Sequence, residues 1–132
     1  MLLLKRVYEP ATSADGTRFL VDRLWPRGLR QADARLDGWL REVAPSHELR
    51  KWFAHEPGKW AEFRRRYAAE LRAKPETWKP IADAARRGTV TLLFAAQNLE
   101  YNNAAALKSF LEGQTDRARP ARPAIRSKRK AK

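Results

Sequence analysis

The stretch Asp22-Arg23-Leu24-Trp25-Pro26-Arg27-Gly28 holds two guanidinium groups, one carboxylate and an indole inside a single short loop. Proline and glycine suffice to turn a chain, because one fixes φ and the other tolerates any φ, so the other side chains ask for a further role. Arginine presents a planar fork of donors that matches phosphate or carboxylate at two points. Arg23 and Arg27 are therefore candidates for an anion clamp, with Asp22 in the same loop. The competing reading has Arg23 paired with Asp22 or Glu42 and Arg27 capping helix carbonyls. Trp25 is either a stacking lid over a ring or a core plug whose N–H bonds to backbone, the commoner use of a loop tryptophan. A second polar stretch, Gln97-Asn98-Leu99-Glu100-Tyr101-Asn102-Asn103, adds Asn98, Asn102 and Asn103 as candidate ligand contacts. His55 is the candidate general acid or base for hydrolytic or transfer chemistry. Its bland alternative is a helix-terminal histidine bonded to a carbonyl.

Other chemistry is thinly supplied. With no cysteine and only His47 and His55, disulfides, thiolate metal sites and cysteine nucleophiles are excluded, and no metal or cofactor is expected. The chain carries no Walker loop, GxGxxG, zinc spacing, GxSxG elbow or internal repeat. Ser46 follows Pro45 and precedes a helical pattern, which makes it an N-cap rather than a nucleophile. His47 beside it is expected to face solvent, and Tyr67 and Glu70 are read as packing and surface groups.

The 132 residues carry a formal charge of +13. Residues 114–132 hold eight Lys/Arg against Asp116, so the tail supplies +7 and leaves +6 for residues 1–113. A segment of Arg, Lys, Pro and Ala without apolar periodicity cannot bury enough surface to offset its ordering entropy, and 114–132 is expected to be a disordered basic tail. It offers non-specific nucleic-acid contact through phosphates, or serves only as a solvated appendage. No apolar run approaches the roughly 18 residues of a membrane span. The apolar part of Met-Leu-Leu-Leu-Lys-Arg is shorter than the about 7–15 residues of a signal-peptide core, so a cytoplasmic protein is expected.

The elements that must position these groups follow from periodicity and turn chemistry. Residues 2–8 and 18–24 read as strands separated by a turn containing Pro10, Asp15 and Gly16, and the second strand delivers the chain into the 22–28 loop. Leu36, Trp39, Leu40 and Val43 recur at i, i+3, i+4, i+7, which predicts an amphipathic helix capped by Asp33 and stopped by Pro45. A short helix over 47–54 follows, then a longer one over 57–73 with Trp60, Phe63, Tyr67 and Leu71 on one face. Pro75 precedes a helix over 76–87, with Gly88 as its C-terminal cap. Thr89 to Ala96 is the clearest strand, apolar enough to be buried on both faces as in a parallel sheet. A last helix over 104–111 ends at Gly113. Trp52, Phe53, Trp60, Phe63 and Trp78 fall at helical spacing and are assigned to the core. The whole is an α/β domain over 1–113, with a small, mostly parallel sheet of three or four strands covered by helices.

Five motifs in order carry a resemblance: Val-Asp-Arg-Leu-Trp-Pro-Arg-Gly at 21–28, Ala-Pro-Ser-x-x-Leu-Arg-x-Trp-Phe-x-His at 44–55, Phe-x-x-x-Tyr-x-x-Glu-Leu at 63–71, Val-Thr-Leu-Leu-Phe-Ala-Ala at 90–96 and Asn-Asn-Ala at 102–104. Together they resemble the YeaO-like proteins of the domain-of-unknown-function 488 family over residues 2–112. The resemblance implies a small α/β protein without an established activity. The family pattern places Lys-Asp and then His-Asn-Asn after the last strand, where this chain has Gln97-Asn98 and Tyr101-Asn102-Asn103. Neither an amide nor a phenol replaces a carboxylate or imidazole in proton transfer at neutral pH.

If the strands ending near Leu24 and Ala96 run parallel, their following loops leave the sheet on one edge, where ligands of open α/β sheets bind. That brings Asp22, Arg23 and Arg27 toward Asn98, Asn102 and Asn103. The expected function is binding of a small phosphate- or carboxylate-bearing ligand, with hydrolase or transferase activity as an extension. The alternative is a nucleic-acid-associated protein, and docking of another protein on the exposed loop is a third reading.

Overall fold

The computed structural model describes residues 1–118. Strands β1 (Leu2–Arg6), β2 (Thr17–Leu20), β3 (Gly38–Trp39) and β4 (Val90–Phe94) form one sheet in the order β1-β4-β2-β3, and every pairing is parallel. The helices are α1 (Gln31–Ala34), α2 (His47–Phe53), α3 (Trp60–Ala73), α4 (Pro75–Arg87) and α5 (Asn103–Ala118). β4 lies between β1 and β2 and is buried along its whole length. Its apolar sequence follows from that position, since a central parallel strand meets packing on both faces.

Alternation along the strands divides the core in two. Phe19, Val21, Leu92 and Phe94 face one way and pack with α2 through α5, including Phe53, Phe63, Tyr67, Ile81 and Leu107. Leu20 and Leu93 face the other way with Val7, against Trp25, Leu29, Leu36 and Trp39. Each fully buried Leu or Phe side chain contributes roughly 1.5–3 kcal/mol of burial. The second face is thus covered by the segment that follows β2 and not by a layer of long helices. Nearer the start of β2 the second face is polar. Arg18 and Asp15 are 4% and 5% exposed and form an ion pair. Lys5 joins Asp15 at 3.1 Å, and the Arg18 guanidinium also donates to the carbonyls of Ala34 and Arg35.

The helix expected from the Leu36–Val43 spacing does not form. One-turn α1 ends at Arg35 in the left-handed region (φ 49°), and residues 38–39 enter the sheet as β3 beside β2. Asp33, expected to cap that helix, lies inside α1 and pairs with Arg30. The apolar stripe is divided between faces: Leu36 and Trp39 join the second cluster, whereas Leu40 and Val43 belong to the first. Backbone bonds from Asp37 N to Arg18 O (2.8 Å) and Leu40 N to Leu20 O (2.9 Å) hold this extended path. Gly38 permits it, because a Cβ there would lie 3.2 Å from the Phe19 ring. At the other end of β2, Gly16 has φ +65°, and a Cβ on it would meet the Thr89 carbonyl oxygen at 2.2 Å.

The remaining helices follow the expected order with shifted ends. A 3-10 turn at Pro57–Lys59 precedes α3, and α5 runs through Gly113, where the pattern placed a stop, to Ala118. Residues 114–118 of the expected tail fall within α5, and 119–132 lie outside the described residues. No helix among the described residues is long and apolar enough to cross a membrane.

Candidate functional site

The parallel sheet sends the ends of β2 and β4 to one edge, so the 22–28 and 95–103 loops rise side by side. Asp22 fastens them. Its Oδ2 accepts from Ala95 N at 2.9 Å, continuing the β2-β4 ladder through a side chain. Asn103 Nδ2 donates to Asp22 Oδ1 at 3.2 Å and to the Val21 carbonyl at 3.1 Å. Burial pushes the Asp22 carboxyl above its ordinary value, against the opposing pull of the Ala95 and Asn103 hydrogen bonds and the Arg50 charge.

Beyond Asp22 opens a cleft of about 550 Å³, within the range of small-molecule sites. Asp22, Arg23, Trp25, Arg27, His55 and Asn103 all line it. Asn98 and Asn102, expected in the same site, do not. Asn98 Oδ1 accepts from Glu100 N and Tyr101 N, both at 2.8 Å, which makes it the organiser of its own turn. Asn102 is buried, caps α5 by accepting from Ala105 N at 2.7 Å, and donates to the Asn98 carbonyl. Local backbone engages Oδ1 of Asn98 and both polar ends of the Asn102 amide.

Arg23 divides its guanidinium between the Ala44 carbonyl at 3.3 Å and Glu42 at 3.8 Å, and its buried Nε has no partner. Trp25 is the plug: its indole donates to the Leu29 carbonyl at 2.7 Å and meets Trp39 edge-on at 5.3 Å. Trp25 nonetheless lines the cleft. Arg27 is exposed, and its carbonyl accepts from the Tyr8 hydroxyl at 2.9 Å, which ties the loop after β1 to the rim.

Three cleft residues went unrecognised in the sequence. His47, Arg50 and Lys51 all come from α2 and line the cavity. Their i, i+3, i+4 spacing places them on one helical face. That face reads as the solvated side of an amphipathic helix whose Leu49 and Phe53 are buried. Only tertiary placement turns it toward the loop. His47, expected to face solvent, is exposed but at the cleft wall. The placement depends on Ser46, whose Oγ accepts from Leu49 N at 3.1 Å and donates to Glu70 Oε2 at 2.6 Å, while Ser46 N donates to Glu70 Oε1 at 2.9 Å. Glu70, read as a surface group, thus moors the start of α2 to α3.

His55 follows Ala54, and both hold left-handed backbone (φ 59° and 47°), sparsely populated for residues with a Cβ. The imidazole lies 6.2 Å from the Phe53 ring centre and is exposed. Among the described residues, no ion-pair or hydrogen-bond partner engages the side chains of His55, Arg27, Arg50 or Lys51. The cleft therefore presents four cations, Arg23, Arg27, Arg50 and Lys51, around one carboxylate. No group of three or more His, Cys, Asp or Glu suited to a metal occurs among the described residues.

Residues 1–128 match the family model described as the inactive DUF488-N3 subclade. The chain belongs to the DUF488 family. Within that family it is YeaO-like: it is 48% identical over 107 residues to the uncharacterized protein YeaO of Escherichia coli, which covers 81% of this chain and 93% of that one. The uncharacterized proteins Rv3073c of Mycobacterium tuberculosis and Mb3100c of Mycobacterium bovis are each 39% identical over 109 residues, covering 83% of this chain and 92% of theirs. No solved structure matches this DUF488 protein.

Proposed function

We propose that this DUF488 protein binds a small organic anion, bearing phosphate or carboxylate, in the cleft at the sheet's carboxyl edge. The observation that carries the reading is the convergence of Arg23, Arg27, Arg50 and Lys51 on one cavity, with no hydrogen bond or ion pair engaging the side chains of Arg27, Arg50 and Lys51 among the described residues. Solvated cations that lack a partner hold donor capacity ready for an incoming anion. Two charge-assisted contacts, worth about 1.5–3 kcal/mol each, correspond to affinities on the order of millimolar to tens of micromolar.

Binding rather than turnover fits the rest of the site. His55 and His47 are the imidazoles at the cleft, and among the described residues no carboxylate orients either ring, as one does for an acid–base histidine. The family model's own description, an inactive subclade, agrees.

Trp25 borders the cavity and reports on it. Titrating the protein with inorganic phosphate and acidic metabolites, while following tryptophan fluorescence, gives a saturable change in the wild type. Arg50→Ala weakens binding about tenfold, as expected for one charged contact. No saturation at millimolar anion, or an Arg50→Ala titration identical to wild type, removes the reading.

A further inference from the structure

Resting on that anion-binding reading, we propose that the ligand carries a hydrogen-bond donor, a hydroxyl or amine, which Asp22 accepts while the surrounding cations hold its anionic group. Asp22 is a carboxylate set in the wall of an otherwise cationic cleft. A bare anion seated there meets a like charge, which opposes the attraction of the arginines. A ligand with both an anionic group and a donor turns that repulsion into a charge-assisted hydrogen bond.

The carboxylate has capacity for it. An ionised aspartate offers about four lone-pair positions, and the fold uses one on each oxygen, through Ala95 N and Asn103 Nδ2. Those two bonds also fix the direction of the remaining lone pairs. Arg50, whose charge acts on Asp22, links the acceptor to the clamp. Size points the same way. A space of about 550 Å³ bordered by Tyr8, Phe53 and Tyr101 is far larger than a phosphate ion, and it suits a molecule with a carbon skeleton between its polar groups.

Asp22 therefore selects between anions of equal charge. The experiment titrates the full-length protein with glycerol 3-phosphate, glucose 6-phosphate, propyl phosphate and inorganic phosphate. The hydroxylated esters are expected to bind about tenfold tighter than propyl phosphate, the value of one charge-assisted hydrogen bond. In Asp22→Asn the preference collapses, and propyl phosphate and inorganic phosphate bind more tightly because the like charge is gone. Equal affinities of propyl phosphate and both hydroxylated esters in the wild type overturn the inference while leaving anion binding intact. So does an unchanged ratio in a folded Asp22→Asn. Failure of all four probes, inorganic phosphate included, removes the anion-binding reading itself. The wild-type comparison decides the matter even where the variant does not fold.

Discussion

Asn103, the first residue of α5, donates one amide group to both the Val21 carbonyl and the Asp22 carboxylate, across more than eighty positions of sequence. The end of β2 and the start of α5 are thereby clasped at the point where the cleft begins. The aspartate that faces the cavity is held by the same bond.

Asn103→Ala leaves Asp22 Oδ1 and the Val21 carbonyl without their side-chain donor. A loss of about 1–3 kcal/mol is expected for such unsatisfied, part-buried groups, read as a lower urea midpoint. Asn103→Asp is expected to cost more, since it sets a second carboxylate against Asp22. An urea midpoint equal to wild type in both variants would show that the clasp is not needed.

Asp22 and Asp15 predict opposite pH responses. Burial raises the Asp22 carboxyl above 3.8, so the folded chain holds that proton more tightly than the unfolded chain. Its contribution to stability therefore falls as pH rises from the ordinary aspartate range through the folded-state value, then levels off. Comparing wild type with Asp22→Asn across this window isolates the slope. Sulfate, whose own charge is constant there, is expected to bind wild type more tightly as pH falls. The gain includes a component absent from Asp22→Asn.

For Asp15 the sign reverses. Burial tends to raise this carboxyl, but the Thr12 backbone N–H and the side chains of Lys5, Arg18 and Thr12 outweigh it and hold it at about 2. Stability from this network is fully present above the ordinary value and is lost as pH falls toward the folded one. Asp15→Ala is expected to cost about 3–5 kcal/mol, because it strands the buried Arg18 guanidinium. Chemical denaturation at neutral pH measures the loss, and acid titration of the variant should lack the corresponding transition.

Ser46→Ala removes the cap of α2 and one ligand of Glu70, at a cost of about 1–2 kcal/mol. Glu70→Gln weakens the same mooring. Because α2 carries Arg50 and Lys51, both changes are expected to reduce anion affinity without touching the cleft. A double-mutant cycle that shows additive losses would mean that Ser46 and Glu70 act independently.

Gly16→Ala places a Cβ 2.2 Å from the Thr89 carbonyl oxygen at φ +65°. A loss of more than about 2 kcal/mol is expected from strain and clash together. Gly113→Ala, inside α5 with nothing within 4 Å of the new Cβ, is expected to stabilise by a few tenths to about 1 kcal/mol. Thermal unfolding of the two variants should move in opposite directions.

What the sequence determined by itself was local. The apolar run of β4, the Ser46 cap, the aromatic face of α3 and the meeting of two loops at one parallel edge all rest on signals spanning a few residues, or on a topological rule. What only the tertiary structure decided depended on partners distant in the chain. The Leu36–Val43 stripe matches a helix in spacing, yet pairing with β2 beside a bare Gly38 splits it between two faces. Asn98 and Asn102 have the chemistry of ligand contacts, but nearby backbone groups claim them first. Arg50 and Lys51 look like the wet side of a short helix until Glu70 moors Ser46 and turns that side toward Asp22. In each case the residue type states what a side chain can do, and the competition among its neighbours for hydrogen bonds and buried surface settles what it does.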